Sequence, residues 1–177
     1  MPPSKGSHSE RPPLSNVEEL NKDHNRSRFD SSAADLDEWL KRFSLQSMKK
    51  DSARTFVVHR SGIVVGYYAL TAGSASHEEA TAATKKGLPQ YPIPVIIIAR
   101  LAIDRQEQGT GLGSALLKDA LIRIETASKD IGIRAVLVHA INSDARKFYE
   151  NNDFERSPIN EFTLMLSMKD LRANLPN

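Results

Sequence analysis

Residues Pro94 to Ile103 form a nearly continuous β-branched and apolar run, Pro-Val-Ile-Ile-Ile-Ala-Arg-Leu-Ala-Ile. Such a strand has almost no polar face to turn to water, so it belongs in the middle of a sheet covered on both sides. It ends at Asp104 and is followed by Gln108-Gly109-Thr110-Gly111-Leu112-Gly113. From Leu112 onward Leu116, Leu117, Ala120, Leu121, Ile124 and Ala127 recur with helical period, predicting a long amphipathic helix that stops near Gly132. A buried strand, a tight turn and a packed helix in that order commit the chain to an α/β architecture.

The flanking sequence fills out the sheet. Ser32-Ala33-Ala34-Asp35 has the spacing of a helix-start box, and Leu36, Trp39, Leu40 and Phe43 follow as one apolar stripe. Residues 55–58 and 63–70 read as two strands joined at Ser61-Gly62. Residues 73–90, rich in Ala, Ser, Thr and charge, fit either a lid or a short helix. After the long helix come an apolar strand at 135–140, a short helix capped by Asn142 and carrying Phe148 and Tyr149, and a last strand at 162–168. The expected product is one mixed α/β domain, residues 14–177. Ahead of it, residues 1–13 hold too many Pro, Ser and charged residues to offset ordering, and a flexible tail is expected.

The glycine-rich turn is where chemistry is expected. It places free backbone amides at the positive end of a helix dipole, an arrangement that binds phosphate oxygens, and glycine at 109, 111 and 113 keeps Cβ atoms off a pyrophosphate lying against the backbone. Taken alone, the same turn also serves as a plain strand-to-helix connection. A nucleoside-triphosphate loop needs Lys-Ser/Thr after its last glycine, and Ser114-Ala115 stands there. A dinucleotide fingerprint spaces its glycines Gly-x-Gly-x-x-Gly and wants an acid at the end of the next strand, which here ends in His139-Ala140.

Composition narrows the class further. With 40% hydrophobic and 26% charged residues the chain reads as an ordinary globular protein. No stretch approaches the roughly 20 apolar residues of a membrane span, so no membrane partner and a cytoplasmic location are expected. The absence of cysteine excludes disulfides and thiolate chemistry, and five histidines without metal-ligand spacing predict no metal. A net charge of +2 is too small to argue for nucleic acid. Lys41, Arg42, Lys49, Lys50, Arg54 and Arg60 nevertheless stand against Asp51 alone, a cluster that fits a solvated helix face as readily as a phosphate contact.

Arg100-Leu101-Ala102-Ile103-Asp104 followed by Gln108-x-x-Gly111-x-Gly113 resembles the acetyl-CoA motif of the GNAT acetyltransferases. Residues 36–40, 54–58, 65–70, 92–95, 138–140 and 148–150, with Met165 and Lys169-Asp170-Leu171, together resemble the GNAT toxins of bacterial toxin–antitoxin pairs, over residues 29–172. The resemblance implies a mixed, mostly antiparallel sheet with a splayed strand pair, flanked by helices. It also implies acetyl transfer from acetyl-CoA to the amino group of aminoacyl-tRNA, which blocks translation. The partners it implies are a ribbon-helix-helix antitoxin, operator DNA through that antitoxin, and a second copy in a homodimer.

By the same resemblance, the backbone at Leu101, Ala102 and Ile103 lines the pantetheine arm, while Gln108, Gly109, Thr110, Gly111, Leu112, Gly113 and Ser114 hold the pyrophosphate. Asn142, Ala145 and Phe148 approach the cofactor. Tyr149 matches the catalytic tyrosine, a phenol of ordinary pKa about 10 that can protonate a departing thiolate. No strong base stands out, and an α-amine with a pKa of about 7.7–8.0, lowered by its ester, is already partly neutral. His139 is the alternative base, or a structural residue. Arg54, Lys85 and Lys86 are the expected tRNA contacts, the lysine pair standing where relatives resemble one another in paired arginines. Two other departures are Asp153 in place of a turn glycine and Ser31-Ser32-Ala33 where relatives carry a Cys-Gly pair. The same core could instead acetylate a small-molecule or protein amine, or act without turnover as a co-repressor.

Overall fold

The computed structural model describes residues 10–176. In chain order the elements are β1 (Glu18–Glu19), α1 (Ala34–Glu38), a π-helical turn (Trp39–Phe43), α2 (Ser44–Lys49), β2 (Arg54–Arg60), β3 (Ile63–Ala75) and α3 (Ala82–Lys85). Then follow β4 (Ile93–Ile103), a 3₁₀ turn (Arg105–Glu107), α4 (Leu112–Ala127), β5 (Ala135–His139), α5 (Ser143–Glu150), β6 (Glu155–Arg156), β7 (Thr163–Ser167) and α6 (Met168–Asn174). The strands form one seven-stranded sheet in the order β1-β2-β3-β4-β5-β7-β6. Only β4 and β5 among the strands run parallel, and the long helix α4 carries the chain back from the end of one to the start of the other.

The parallel pair is short. It runs from Val95 opposite Ala135 to Ile98 opposite Val138, and beyond that point β4 continues to Ile103 paired with β3 alone. The parting coincides with a bulge: Ile98 pairs with Leu70 and Arg100 with Ala69, leaving Ala99 as the extra residue. A bulge bends its strand and twists it more strongly, so β4 swings away from β5 at that level. This is the splayed pair that the family resemblance implies. Both faces of the sheet are covered, one by α4 through Leu116, Leu117 and Ile124, the other by Leu20, Phe29 and Leu40.

Several elements depart from the sequence reading. The box at Ser32 and Asp35 does not form; Ser32 adopts φ 72° and Ala33 takes the cap position without a side-chain bond. Instead Asp37 accepts from the Ser31 amide and hydroxyl at 3.0 and 2.6 Å. The apolar stripe breaks at the π-helical turn, which inserts extra residues and rotates the helix beyond it. Leu40 is fully buried, whereas Phe43 is 46% exposed and Ser44 takes the inward place. Arg26 steadies this turn by donating to the Leu40 and Lys41 carbonyls at 3.1 and 3.3 Å.

Residues 73–90 are neither purely lid nor purely helix. β3 runs on through Ala75, and its small residues lie opposite bulky ones of β4: Ala72 opposite Ile96, Gly73 opposite Val95. A Cβ at Gly73 would come within 2.6 Å of Ile97 Cδ1, so the loop-like composition is a packing requirement. α3 then forms with Thr81 as its cap. α4 ends at Ala127, ahead of Gly132, and the last strand ends at Ser167, whose side chain caps the unforeseen α6 by accepting from the Asp170 amide at 3.2 Å. Of the expected flexible tail, residues 1–9 lie outside the described residues. Arg11 and Pro12 already contact the body, through Glu107 and Arg60.

Candidate active site

The turn between β4 and α4 is tied down from several sides. Asp104 accepts from the Gln106 and Asp30 amides at 3.0 and 3.1 Å. Glu107, 4% exposed, takes two bonds from Arg60, at 2.7 and 3.2 Å, and this partner holds its carboxyl below the usual range. Thr110 Oγ1 donates to the Glu107 carbonyl at 2.6 Å. The Gln108 side chain donates to the carbonyls of Ile103 and Ser31 at 2.9 and 3.0 Å, so it shapes the loop and is not free for a ligand.

Held this way, the chain turns through two left-handed glycines, Gly109 at φ 77° and Gly111 at φ 87°. No protein acceptor meets the amides of Gly109, Thr110, Gly111, Leu112, Gly113 or Ser114 among the described residues. A row of unspent N–H groups at a helix N-terminus is a cradle for a diphosphate. Space around Gly109 and Gly111 is open, so the conformation and not a clash within the protein accounts for both glycines. Gly113 differs: its φ is ordinary, and a Cβ would sit 3.8 Å from Ile103 and Phe148, pointing into the protein.

Where β4 and β5 part, a cleft of about 60 Å³ opens between Ile98, Leu101, His139 and Tyr149. Asn142 caps α5 by accepting from the Ala145 amide at 2.9 Å, and Ala145 lines the cleft. Leu101 also faces the cleft, but the side chains of Ala102 and Ile103 belong to the cores on opposite faces of the sheet. Tyr149 is 7% exposed and packed edge-on between Phe148 and Phe154, with ring centroids 5.1 and 5.4 Å away. Burial pushes its phenol above its ordinary pKa. Its hydroxyl has no hydrogen-bond partner among the described residues. His139 Nδ1 lies 3.1 Å from Thr163 Oγ1, which leaves Nε2 uncommitted.

Larger grooves exist. One of about 630 Å³ runs between Pro12, Ser61 and Gln106, but Arg60 and Arg11 there are spent on Glu107 and Arg105 on Asp30. Another, of about 380 Å³, runs along α4 past Ser114, Lys118 and Asn151 and adjoins the amide row. Only the small cleft joins a protonated phenol to parted strands.

The expected nucleic-acid contacts do not gather into one patch. Arg54 is paired with Asp51 at 2.9 Å and lies near Glu19 at 3.7 Å. Lys85 and Lys86 lie beside Arg134, which donates to the Thr84 and Lys86 carbonyls just ahead of β5, roughly 17 Å along the chain from His139. The basic run of residues 41–60 is likewise partly neutralised, Arg42 by Glu38 and Arg60 by Glu107.

Among the described residues one group of possible metal ligands converges, Glu18, His24 and His59, a gathering the sequence spacing does not reveal. The backbone amides of Asn21 and Gly62 donate to the two Nδ1 atoms, both at 2.9 Å. Each neutral ring therefore carries its proton on Nε2 and donates it to Glu18, at 2.6 and 2.7 Å. A metal-binding histidine needs the reverse, a lone pair inward and an acceptor behind it. The trio is a clamp tying β1 and its following loop to β2.

Comparison with known proteins fits this geometry. Residues 51–156 match the model of the acetyltransferase (GNAT) domain. The chain is 48% identical over 145 residues to a tRNA-acetylating toxin of Mycobacterium tuberculosis (strain ATCC 25618 / H37Rv), covering 82% of this chain and 87% of that protein. Its fold superimposes on AtaT complexed with acetyl-methionyl-tRNAfMet with a TM-score of 0.83, at 27% identity over 91% of this chain and 98% of that one. It also superimposes on an AtaT mutant bound to the C-terminus of the antitoxin AtaR and acetyl-CoA, with a TM-score of 0.77 at 28% identity, over 90% and 96% of the two chains. A glycine turn with unspent amides, a bulged strand parting from its parallel neighbour and a matching family model together make this chain a member of the GNAT acetyltransferases.

Proposed function

We propose that this chain moves the acetyl group of acetyl-CoA onto the α-amino group of aminoacyl-tRNA and so serves as the translation-blocking toxin of a toxin–antitoxin pair. The observation that carries the chemistry is the position of Tyr149, a buried phenol opening on the cleft where β4 leaves β5, with its neighbour Phe148 packed toward Gly113 at the head of α4. Kinship with the tRNA-acetylating toxin supports the acceptor.

The residues present fit acetyl-CoA. The amides of Gly109 to Ser114 suit its diphosphate, the edge of β4 from Ala99 to Ile103 that β5 leaves free suits an extended amide-bearing arm, and the groove past Ser114 and Lys118 adjoins the amides. When bound, the cofactor supplies an activated acetyl thioester. Tyr149 holds a proton on Oη, ready for a leaving thiolate, and its burial keeps that proton in place at physiological pH. Phe148 and Phe154 fix the ring and exclude water. Among the described residues no carboxylate lines the cleft and His139 is its one candidate base, in keeping with an ester-activated amine that is already partly neutral.

The partners proposed are charged tRNA, a ribbon-helix-helix antitoxin acting with operator DNA, and a second copy of the chain. No helix among the described residues is long and apolar enough to cross a membrane, and charged tRNA places the proposed reaction in the cytoplasm. The test is labelled acetyl-CoA offered with separate pools of charged tRNA and small amines. Label enters the charged tRNA, and Tyr149→Phe lowers kcat by about 10²–10⁴-fold without loss of CoA affinity. Label found only in small amines, or nowhere, overturns the proposal.

A further inference from the structure

Among the described residues three arginines lie over aromatic rings, and two of them have evident structural reasons. Arg123 lies 4.2 Å from the Phe56 centroid and bonds Asp119 at 3.0 Å; Arg146 lies over Phe162 and pairs with Glu150 and Glu161 at 3.3 and 3.2 Å. Arg100 lies 4.4 Å from the Trp39 centroid, yet neither a carboxylate nor a hydrogen-bond acceptor meets it among the described residues. It stands on β4 just past the Ala99 bulge, beyond the last residue paired with β5, and lines the same cleft as Tyr149.

The guanidinium is set in place from below. Trp39 stacks on Tyr67 at 6.0 Å and 13°, Tyr67 meets Phe29 edge-on at 5.5 Å, and the Tyr67 hydroxyl donates to the Leu36 carbonyl at 2.6 Å. Tyr67 and Phe29 are fully buried. Arg100 is only partly buried and shares the cleft with Leu36, Ile98, Leu101 and the exposed Ile141, so its always-charged guanidinium keeps donors free for an anion that enters there. One face lies on Trp39, while the edge keeps the forked donors that match a phosphate.

Resting on the acceptor reading above, we propose that Arg100 grips the phosphodiester next to the terminal nucleoside of the acceptor. That group is the anion nearest an amine esterified to the terminal ribose, and the amine must enter this cleft to meet Tyr149. The cofactor diphosphate is served elsewhere: β4 ends at Ile103, about 10 Å beyond Arg100, and the amide row lies past it. Arg100 thereby distinguishes an aminoacylated nucleic acid from a free amine.

The test compares two minimal acceptors with the full chain: an aminoacyl-adenosine without phosphate, and the same adenosine extended by one 5′ cytidylyl unit and hence one phosphodiester. The wild type has a lower KM for the second. Arg100→Gln raises that KM about tenfold more than it raises the KM for aminoacyl-adenosine, the worth of a charge-assisted hydrogen bond. Arg100→Lys keeps part of the preference. Equal loss on both acceptors, weakened CoA binding, or no change in either variant overturns the proposal. A wild type that acetylates both acceptors equally removes the role of Arg100 while leaving the acceptor reading intact; one that acetylates neither of them, nor charged tRNA, removes both.

Discussion

Replacing Gly111 by alanine separates backbone strain from ligand contact. Gly111 caps α4 at φ 87° and ψ 2°, and a Cβ there meets nothing within 4 Å. The cost is therefore conformational, about 1–2 kcal/mol for an L-residue in the left-handed region, offset by about 0.4–1 kcal/mol from the less flexible unfolded chain. A net loss of about 1 kcal/mol corresponds to a fall in Tm of about 2–4 °C for a chain of this size. Gly113→Ala is the control, since its Cβ would make ordinary contacts with Ile103 and Phe148 inside a helix, where alanine gains up to about 1 kcal/mol over glycine. Urea denaturation of both variants should give opposite signs. In calorimetric titration with CoA, Gly111→Ala loses about tenfold in affinity, the worth of one hydrogen bond to a charged group, while Gly113→Ala keeps its affinity. A Gly111→Ala protein as stable as wild type refutes the strain account, and one that binds CoA equally well refutes the amide cradle.

Leu40→Ala should cost about 2–5 kcal/mol in denaturant melts and Phe43→Ser very little, an inequality that a regular α-helix through these positions would not produce. Glu107 is held below its ordinary pKa by Arg60, so it stabilises the fold above the unfolded carboxyl value of about 4.3, and that contribution is lost as pH falls through the depressed folded value. Glu107→Gln should flatten the acid limb of a stability profile; an unchanged limb counts against this pair. Because burial raises the Tyr149 phenol, kcat should show no loss from its ionisation up to about pH 10, and a descending limb that Tyr149→Phe abolishes below that pH contradicts the assignment.

The central strand, its glycine turn and the helix after it were legible because three signals agree there: β-branched burial, broken regularity and helical period. Tyr149 was reachable only through family likeness, since a tyrosine beside a phenylalanine on a short helix looks like packing. The phase of the first helix was hidden because a π-helical turn leaves no compositional mark. The end of β3 was misread because small residues opposite isoleucines resemble a loop. α6 was missed although Ser167 and Asp170 spell its cap. The Glu18–His24–His59 clamp and the column beneath Arg100 join residues far apart in sequence, and no local pattern announces such a meeting.

The short β4–β5 pairing has a further consequence. The outer margins of the sheet are protected by two-residue strands, whereas Ala99 to Ile103 presents an unpartnered seam inside it. Open main-chain seams invite pairing with stray peptide, and hence aggregation or proteolysis. On the proposed reading the acetyl donor seals that seam, and at a hundred times its Kd it would add about 2.7 kcal/mol of stability. The chain should accordingly melt at a higher temperature, and be cut more slowly by an added protease, when acetyl-CoA is present than when it is absent.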